Sequence, residues 1–299
     1  MKFGVSLPVR EMKDDLGAIR AYAELADELG LSHLRVPDTI INKNSGHLHE
    51  PMTLLAWVAA FTKHIQLCPS VIVMPVRQTV LFAKQLVELD VLSNGRARLG
   101  VGIGSNKDQY EALGQDFHTR GARCDEQLLL LKSLLSQEKV SFSGRWDTVE
   151  DSGIRPKPIQ SNIPIWYGGA STPGKRVIDR IARHADGWFV LCNPEDYGGI
   201  RKNIDEAALK AGRDPNSIQT EAGVAVVGPR ELEWQSRVVN WKKMGLDYIG
   251  WADAWSLLMD NFPQATYVFD DPVFYGVEGK RTCMAVSYTH LTLPTKRIV

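Results

Sequence analysis

The chain has 299 residues, an apolar fraction of 44% and equal numbers of basic and acidic side chains, 35 of each. That size and apolar content suffice for one large α/β domain or two small ones. Zero formal net charge lacks the basic excess of a nucleic-acid binder or an anionic-membrane binder, and no apolar run approaches the roughly 18 residues of a spanning helix.

Phe3–Pro8 alternates and ends in proline, which reads as a first strand. Asp15–Leu29 carries Leu16, Ile19, Tyr22, Ala23, Ala26 and Leu29 at helical spacing and closes on Gly30. His33–Val36 is a second short strand. A helix opens at Glu50-Pro51, where the missing N–H of proline costs little, and runs through Phe61. Ile65–Met74 is a third, β-branched run. The helix Arg77–Leu92, the left-handed turn Asn94-Gly95 and the strand Arg98–Ile103 follow. Strand starts near residues 3, 33, 65 and 98 recur at about the length of a βα repeat.

Thr119–Leu135 is a further helix with Leu128, Leu131 and Leu135 on one stripe. Gln137–Asn162 breaks the rhythm with Phe142, Gly144, Trp146, Pro156 and Pro158, and is expected to form a hairpin and an extended loop over the end of the barrel. The pattern resumes at Ile163–Tyr167, followed by Gly168-Gly169-Ala170-Ser171 and a helix through Arg183. Gly187–Leu191, Gln219–Val227 and Asp247–Trp251 complete eight strands, which predicts a (β/α)8 TIM barrel with an insertion after strand 4. The barrel domain is expected over residues 1–262, with Ala254–Phe262 as its last helix. Residues 263–299 form an uncertain tail, and Val286–Val299 looks like translated adapter sequence, so it is excluded from functional argument. The N-terminal residues are already strand-like and lack a signal-peptide h-region, so a cytoplasmic protein is expected. Cys68, Cys124, Cys192 and Cys283 lie far apart and read as buried thiols.

In such a barrel, ligands sit at the C-terminal ends of the strands. Gly168-Gly169-Ala170-Ser171, ahead of a helix N-terminus, offers backbone N–H groups to a phosphate; the same residues would also serve a tight turn. Gly100-x-Gly-x-Gly104 lacks the spacing of a dinucleotide fingerprint. Its glycines either thin the barrel wall or admit a ligand to the backbone, and Ser105, Asn106 and Asp108 just beyond favour ligand contact. His47-x-His49 has metal-ligand spacing, but later strand ends carry no further ligands, so no metal is expected and an exposed loop pair is the alternative. No nucleophile elbow is present. Trp57, Trp146, Trp166, Trp188, Trp251 and Trp255 read mainly as core, with Trp146 and Trp251, near predicted loop ends, as the alternative walls of a flat ligand. A cavity with a phosphate site and no triad suits a cofactor that carries its own chemistry.

Several blocks in order resemble the luciferase-like monooxygenase superfamily, the bacterial-luciferase type of FMN- or F420-dependent oxidoreductase. They are Pro75–Gln85, Leu89–Arg96, Leu99–Gly104, Tyr110–Gly114, Arg120–Glu126, Pro164–Gly169 and Ala185–Trp188. The resemblance implies FMN or F420 at the strand C-termini, with Gly168, Gly169, Ala170 and Ser171 as the phosphate cradle. It implies a non-prolyl cis peptide at Ser70-Val71 behind the ring, and contacts to ring and tail from Gly104 and Asp108. Asp38 lies where the family approaches the ring or substrate, and is the candidate catalytic residue. Many relatives have His after that acid, where this chain has Thr39, and Ser105-Asn106 replaces bulkier or acidic residues. The implied activity is monooxygenation or F420-dependent hydride transfer on a small organic substrate held under the 137–162 insertion. Two copies would pair through barrel helices. The alternatives are a non-catalytic flavin-binding partner subunit on the same barrel and a metal-dependent hydrolase using His47 and His49.

Overall fold

The computed structural model describes residues 1–41, 43, 48–225 and 233–252. Its strands are β1 (Lys2–Ser6), β2 (His33–Val36), β3 (Gln66–Pro69), β4 (Ile72–Val73), β5 (Leu99–Gly102), β6 (Val140–Ser143), β7 (Thr148–Ser152), β8 (Ile165–Gly168), β9 (Gly187–Val190), β10 (Gln219–Ala225) and β11 (Tyr248–Ala252). The helices are α1 (Val9–Met12), α2 (Leu16–Glu28), α3 (Pro51–Ala59), α4 (Thr79–Leu92), α5 (Lys107–Ala112), α6 (Arg120–Ser136), α7 (Lys175–His184), α8 (Pro194–Lys210) and α9 (Trp234–Lys243). Local chemistry sets several helix starts. The side chains of Asp15, Glu50 and Gln78 accept the N–H groups of Ala18, Thr53 and Leu81 and so cap α2, α3 and α4. Asn94 (φ 56°) and Gly95 (φ 79°) make the expected left-handed exit from α4.

The sheet is parallel in the order β3-β2-β1-β11-β10-β9-β8-β5-β4. β3 and β4 are the two halves of the third barrel strand, interrupted at the cis Ser70-Val71 peptide. Leu67 bridges Ala97, and β4 pairs with β5, so the broken strand closes the ring as a TIM barrel. The helices bury Leu, Ile, Val and Ala side chains against the outward faces of the strands, Val5, Leu34, Leu67, Leu99, Val101 and Ile249 among them. No helix among the described residues is long and apolar enough to cross a membrane.

The glycine-marked strand is filled from within rather than open to a ligand. A Cβ on Gly100 would lie 2.5 Å from the Pro69 carbonyl oxygen. On Gly102 and Gly168 it would meet the two methyls of Val71 at 2.6 and 2.7 Å, and on Gly104 it would lie 2.7 Å from Val73. These glycines are hollows that receive the broken third strand.

The insertion also differs from the sequence expectation. Its hairpin, β6 and β7 paired antiparallel, forms as predicted, but it lies along the outside of α4 and α6 rather than over the barrel mouth. The physical reason is two carboxylates with unsatisfied capacity. Glu126 on α6 accepts the N–H groups of Arg145, Trp146 and Asp147 at 2.7–3.0 Å. Asp90 on α4 accepts those of Ile159 and Gln160 and the Gln160 side-chain amide. Thr79 Oγ1 also donates to Asp147 at 2.6 Å. Trp146 therefore stands outside the helical layer, beneath the Arg145 guanidinium. Trp251 packs against Phe3 and Trp234, on the helix side of the sheet. Neither ring lines the barrel interior. The predicted helix Ala254–Phe262 and the tail lie outside the described residues.

Because Val71 occupies the Gly102 hollow, Gly102→Ala should destabilise the fold by about 1–3 kcal/mol, the range for overpacking a core. Val71→Ala in the same chain should recover most of that loss. Urea denaturation of the two single variants and the double variant measures the coupling; strict additivity would contradict the packing.

Candidate functional site

The strand C-termini form one end of the barrel, and the sequence-predicted residues Asp38, Ser70, Val71, Gly104, Asp108 and Gly168–Ser171 all lie at this end. Asp38, two residues past β2, is buried and fully engaged. Its Oδ2 accepts the Val73 N–H and its Oδ1 accepts Arg77 Nη2, both at 2.9 Å. Arg77 also reaches Glu50 at 3.3 Å. Burial raises the Asp38 pKa despite the opposing Arg77 charge and Val73 N–H. The carboxylate thus ties the end of β2 to the chain after the strand break, which is a positioning geometry. Ser70 continues the ladder by donating its N–H to the Val36 carbonyl at 2.7 Å. The Val71 side chain lies across Gly102 and Gly168 and makes an apolar floor.

Asp108 lies at the start of α5, a helix absent from the sequence prediction. Its side chain is half-exposed and pairs with Lys43 at 3.1 Å. Nearby, Asn106 Nδ2 donates to the Ile41 carbonyl and Gln109 Oε1 accepts the Ile40 N–H, both at 3.0 Å. These contacts dock the segment after β2 onto the exit of β5.

Gly168 ends β8, but α7 begins only at Lys175, after Thr172-Pro173-Gly174. The predicted cradle is therefore a longer loop leading into the helix. The Gly174 cap provides no side-chain hydrogen bond, and a Cβ there would stand in open space. The first turn holds no acid; it begins Lys175-Arg176, both exposed. Cations at a helix N-terminus oppose its dipole unless an anion joins them. Just inside, Arg180 bolts α7 to α6 through Asp125 and the Gly121 carbonyl, and to β8 through Tyr167 Oη.

A group that sequence reasoning missed fills the barrel centre below the floor. Glu221 on β10 receives Arg98 on Oε2, and both Arg35 Nη1 and His33 Nε2 on Oε1, the latter two at 3.1 Å. A carboxylate only accepts, so His33 donates from Nε2; its Nδ1 lies 2.8 Å from Ser32 Oγ, and the Ser32 hydroxyl also donates to the Phe3 carbonyl at 2.8 Å. The Arg98 guanidinium lies 3.6 Å from the centre of the Trp166 ring and 4.9 Å from that of Tyr248. Burial alone would raise the Glu221 pKa, but the His33 ring N–H and the guanidinium groups of Arg98 and Arg35 hold it well below the usual carboxylate range. Burial lowers His33 to about 4, with Glu221 opposing and Arg98 assisting. The available signal was an ionisable residue at an inward position in each of three apolar strands.

Cys68, Cys124 and Cys192 are buried free thiols, while Cys283 lies outside the described residues. His47 also lies outside them, and His49 Nε2 sits 2.8 Å from the Lys13 carbonyl oxygen. No three metal-ligating side chains converge among the described residues.

The family described as luciferase-like monooxygenase matches residues 1–268. The chain belongs to this family. Among its luciferase-like relatives, an FMNH2-dependent dimethylsulfone monooxygenase of Pseudomonas putida is 26% identical over 233 residues, 75% of this chain and 61% of the relative. A 5,10-methylenetetrahydromethanopterin reductase of Methanolobus tindarius is 26% identical over 223 residues, 74% of this chain and 64% of the relative. The chain thus spans less than two thirds of the length of these relatives. An F420-dependent secondary alcohol dehydrogenase, solved with an F420-acetone adduct, has the same fold. It superposes with a TM-score of 0.72 at 14% identity over 84% of this chain and 92% of that one.

Two outcomes follow from these contacts. Asp38→Ala leaves Arg77 without its buried partner and should cost about 3 kcal/mol in urea denaturation. The second concerns acid. Above about pH 6.5 His33 is neutral in both folded and unfolded chains; between 6.5 and about 4 only the unfolded chain takes the proton. Stability should therefore fall by on the order of 2–3 kcal/mol across that window, with Glu221 adding further loss below its unfolded value of 4.5. Denaturation at pH 7, 5.5 and 4.5 measures the slope. His33→Gln should flatten it, and a wild-type slope already flat would contradict the assignment.

Proposed function

We propose that the chain is the barrel of an oxidoreductase that binds reduced FMN or F420 at the C-terminal end of the strands and acts on a small organic substrate. The carrying observation is the entry to α7. Its first-turn N–H groups have no side-chain cap, its first turn holds no acid, and two cations stand on it. That arrangement fits the phosphate of either cofactor, held by the 168–174 loop with Gly168, Gly169, Ala170 and Ser171 and neutralised by Lys175 and Arg176.

The bound group would supply hydride transfer or oxygen activation at its ring. This chain's residues position and desolvate it. Val71 presents an apolar surface beneath the ring, seated in the hollows of Gly102 and Gly168. Asp38 and Arg77 hold the end of β2 and the broken third strand in fixed relation, so the floor keeps its shape. Gly104 and Asp108 belong to the β5 side of the same mouth. With both Asp38 oxygens engaged and Thr39 at the next position, Asp38 serves as an anchor in this reading rather than as a proton carrier.

Titration with FMN and with F420, followed by absorbance and fluorescence, tests the reading; micromolar binding of one is expected. The double variant Lys175→Ala/Arg176→Ala should weaken FMN binding at least tenfold and leave riboflavin, which lacks the phosphate, nearly unchanged. If neither cofactor binds, the reading fails. If the variant weakens FMN and riboflavin alike, the phosphate assignment fails.

A further inference from the structure

The barrel centre contains two guanidinium groups and one carboxylate. Glu221 balances one cation, His33 is neutral near pH 7, and the Cys68 thiol, pushed up to about 12 by burial, contributes no charge. One positive charge is left over. Arg98 is held deep, 1% exposed and enclosed by Trp166, Tyr248 and Phe189.

Arg35 is placed differently. It is the penultimate residue of β2, in register with Ser6 at the end of β1, and its Nη2 donates to Ser6 Oγ at 3.2 Å. Its side chain is 14% exposed, whereas those of Glu221 and His33 are fully buried. Its buried Nε has no hydrogen-bond partner among the described residues. Its guanidinium crosses the hollow of Gly250, and Gly223, the register partner of Gly250 on β10, is exposed with open space where a Cβ would stand. The surplus charge therefore emerges at the mouth through Arg35. At the rim, Asp38 and Glu50 are both engaged by Arg77. A charge set among low-dielectric walls acts on a nearby ligand with little screening.

We propose that Arg35 gives this pocket its preference for a negatively charged occupant, and that it favours reduced FMN, whose ring carries one more negative charge than oxidised FMN. The inference rests on the FMN arm of the function proposed above. It goes beyond that reading in assigning a charge preference to a residue that bears on neither the phosphate nor the apolar floor.

The test is the ratio of dissociation constants for oxidised and reduced FMN, the latter measured without oxygen. Arg35→Gln should lower the preference for the reduced form about tenfold. That is a fall of about 30 mV in the midpoint potential of bound FMN, a two-electron couple. Arg35→Lys, which keeps the charge, should hold the wild-type ratio. Should Arg35→Gln not fold, Ser6→Ala loosens the guanidinium without touching Glu221 and should move the ratio in the same direction. An unchanged ratio in the folded variant, with FMN still bound, overturns this inference and leaves the proposed function standing. If FMN does not bind the wild-type chain, the inference falls, while the proposed function falls only if F420 also fails.

Discussion

A carboxylate stripped of water in the middle of a barrel stays ionised only if cations are stripped with it. Glu221 meets that condition by drawing one guanidinium from Arg98, just before β5, and another from β2, and by taking the N–H of His33. Its position on β10 thereby constrains strands on opposite sides of the ring. The interior then has to make room for large polar and aromatic groups, and it does so with glycines on adjacent or next-but-one strands. The His33 ring fills the place of a Gly4 side chain, the Arg35 guanidinium that of Gly250, and the Trp166 ring that of Gly187. Large groups lie over the glycines of nearby strands, which is how a barrel of this size reaches a filled core.

Above that layer, a second constraint shapes the mouth. The third strand breaks, and its Val71 and Val73 side chains settle into the hollows of β5 and β8. Asp38 fastens the segment beyond the break by accepting a backbone N–H and an arginine at once. This end of the barrel is thus apolar at the Val71 floor and cationic at Arg35, apart from that floor. This division suits an occupant with a flat apolar body and a localised negative charge.

Much of the fold was legible because its signals are local. Helical spacing in Asp15–Leu29, proline after Glu50, Asn94-Gly95 and the β-branched runs each report on a few neighbours. Cys68, Cys124 and Cys192 read correctly for the same reason: their spacing offered no partner. What was not legible depends on residues far apart in the chain. Glu221 is separated from Arg98 by 123 positions and from His33 by 188, so no window contains the cluster. The role of Gly102 and Gly168 depends on Val71 reaching two other strands, a relation that glycine spacing alone does not encode. Glycine and serine at 168–171 suggest the entry to α7, but Pro173-Gly174 just beyond them sets its start. The insertion lacks periodicity, so nothing in its own composition says which surface it packs on. Its true position is dictated by Glu126 and Asp90, acids on helices elsewhere in the sequence.

The manner in which that insertion is attached has an evolutionary and practical corollary. Five of the six hydrogen bonds that Glu126 and Asp90 accept from it come from backbone amides. A main-chain amide is supplied by any residue except proline, so apart from Asp147 and Gln160 the tie places little demand on side-chain identity along residues 145–160. The segment is consequently a module whose outward side chains are free to diversify, or to be replaced by a grafted recognition sequence, while the barrel beneath keeps its geometry.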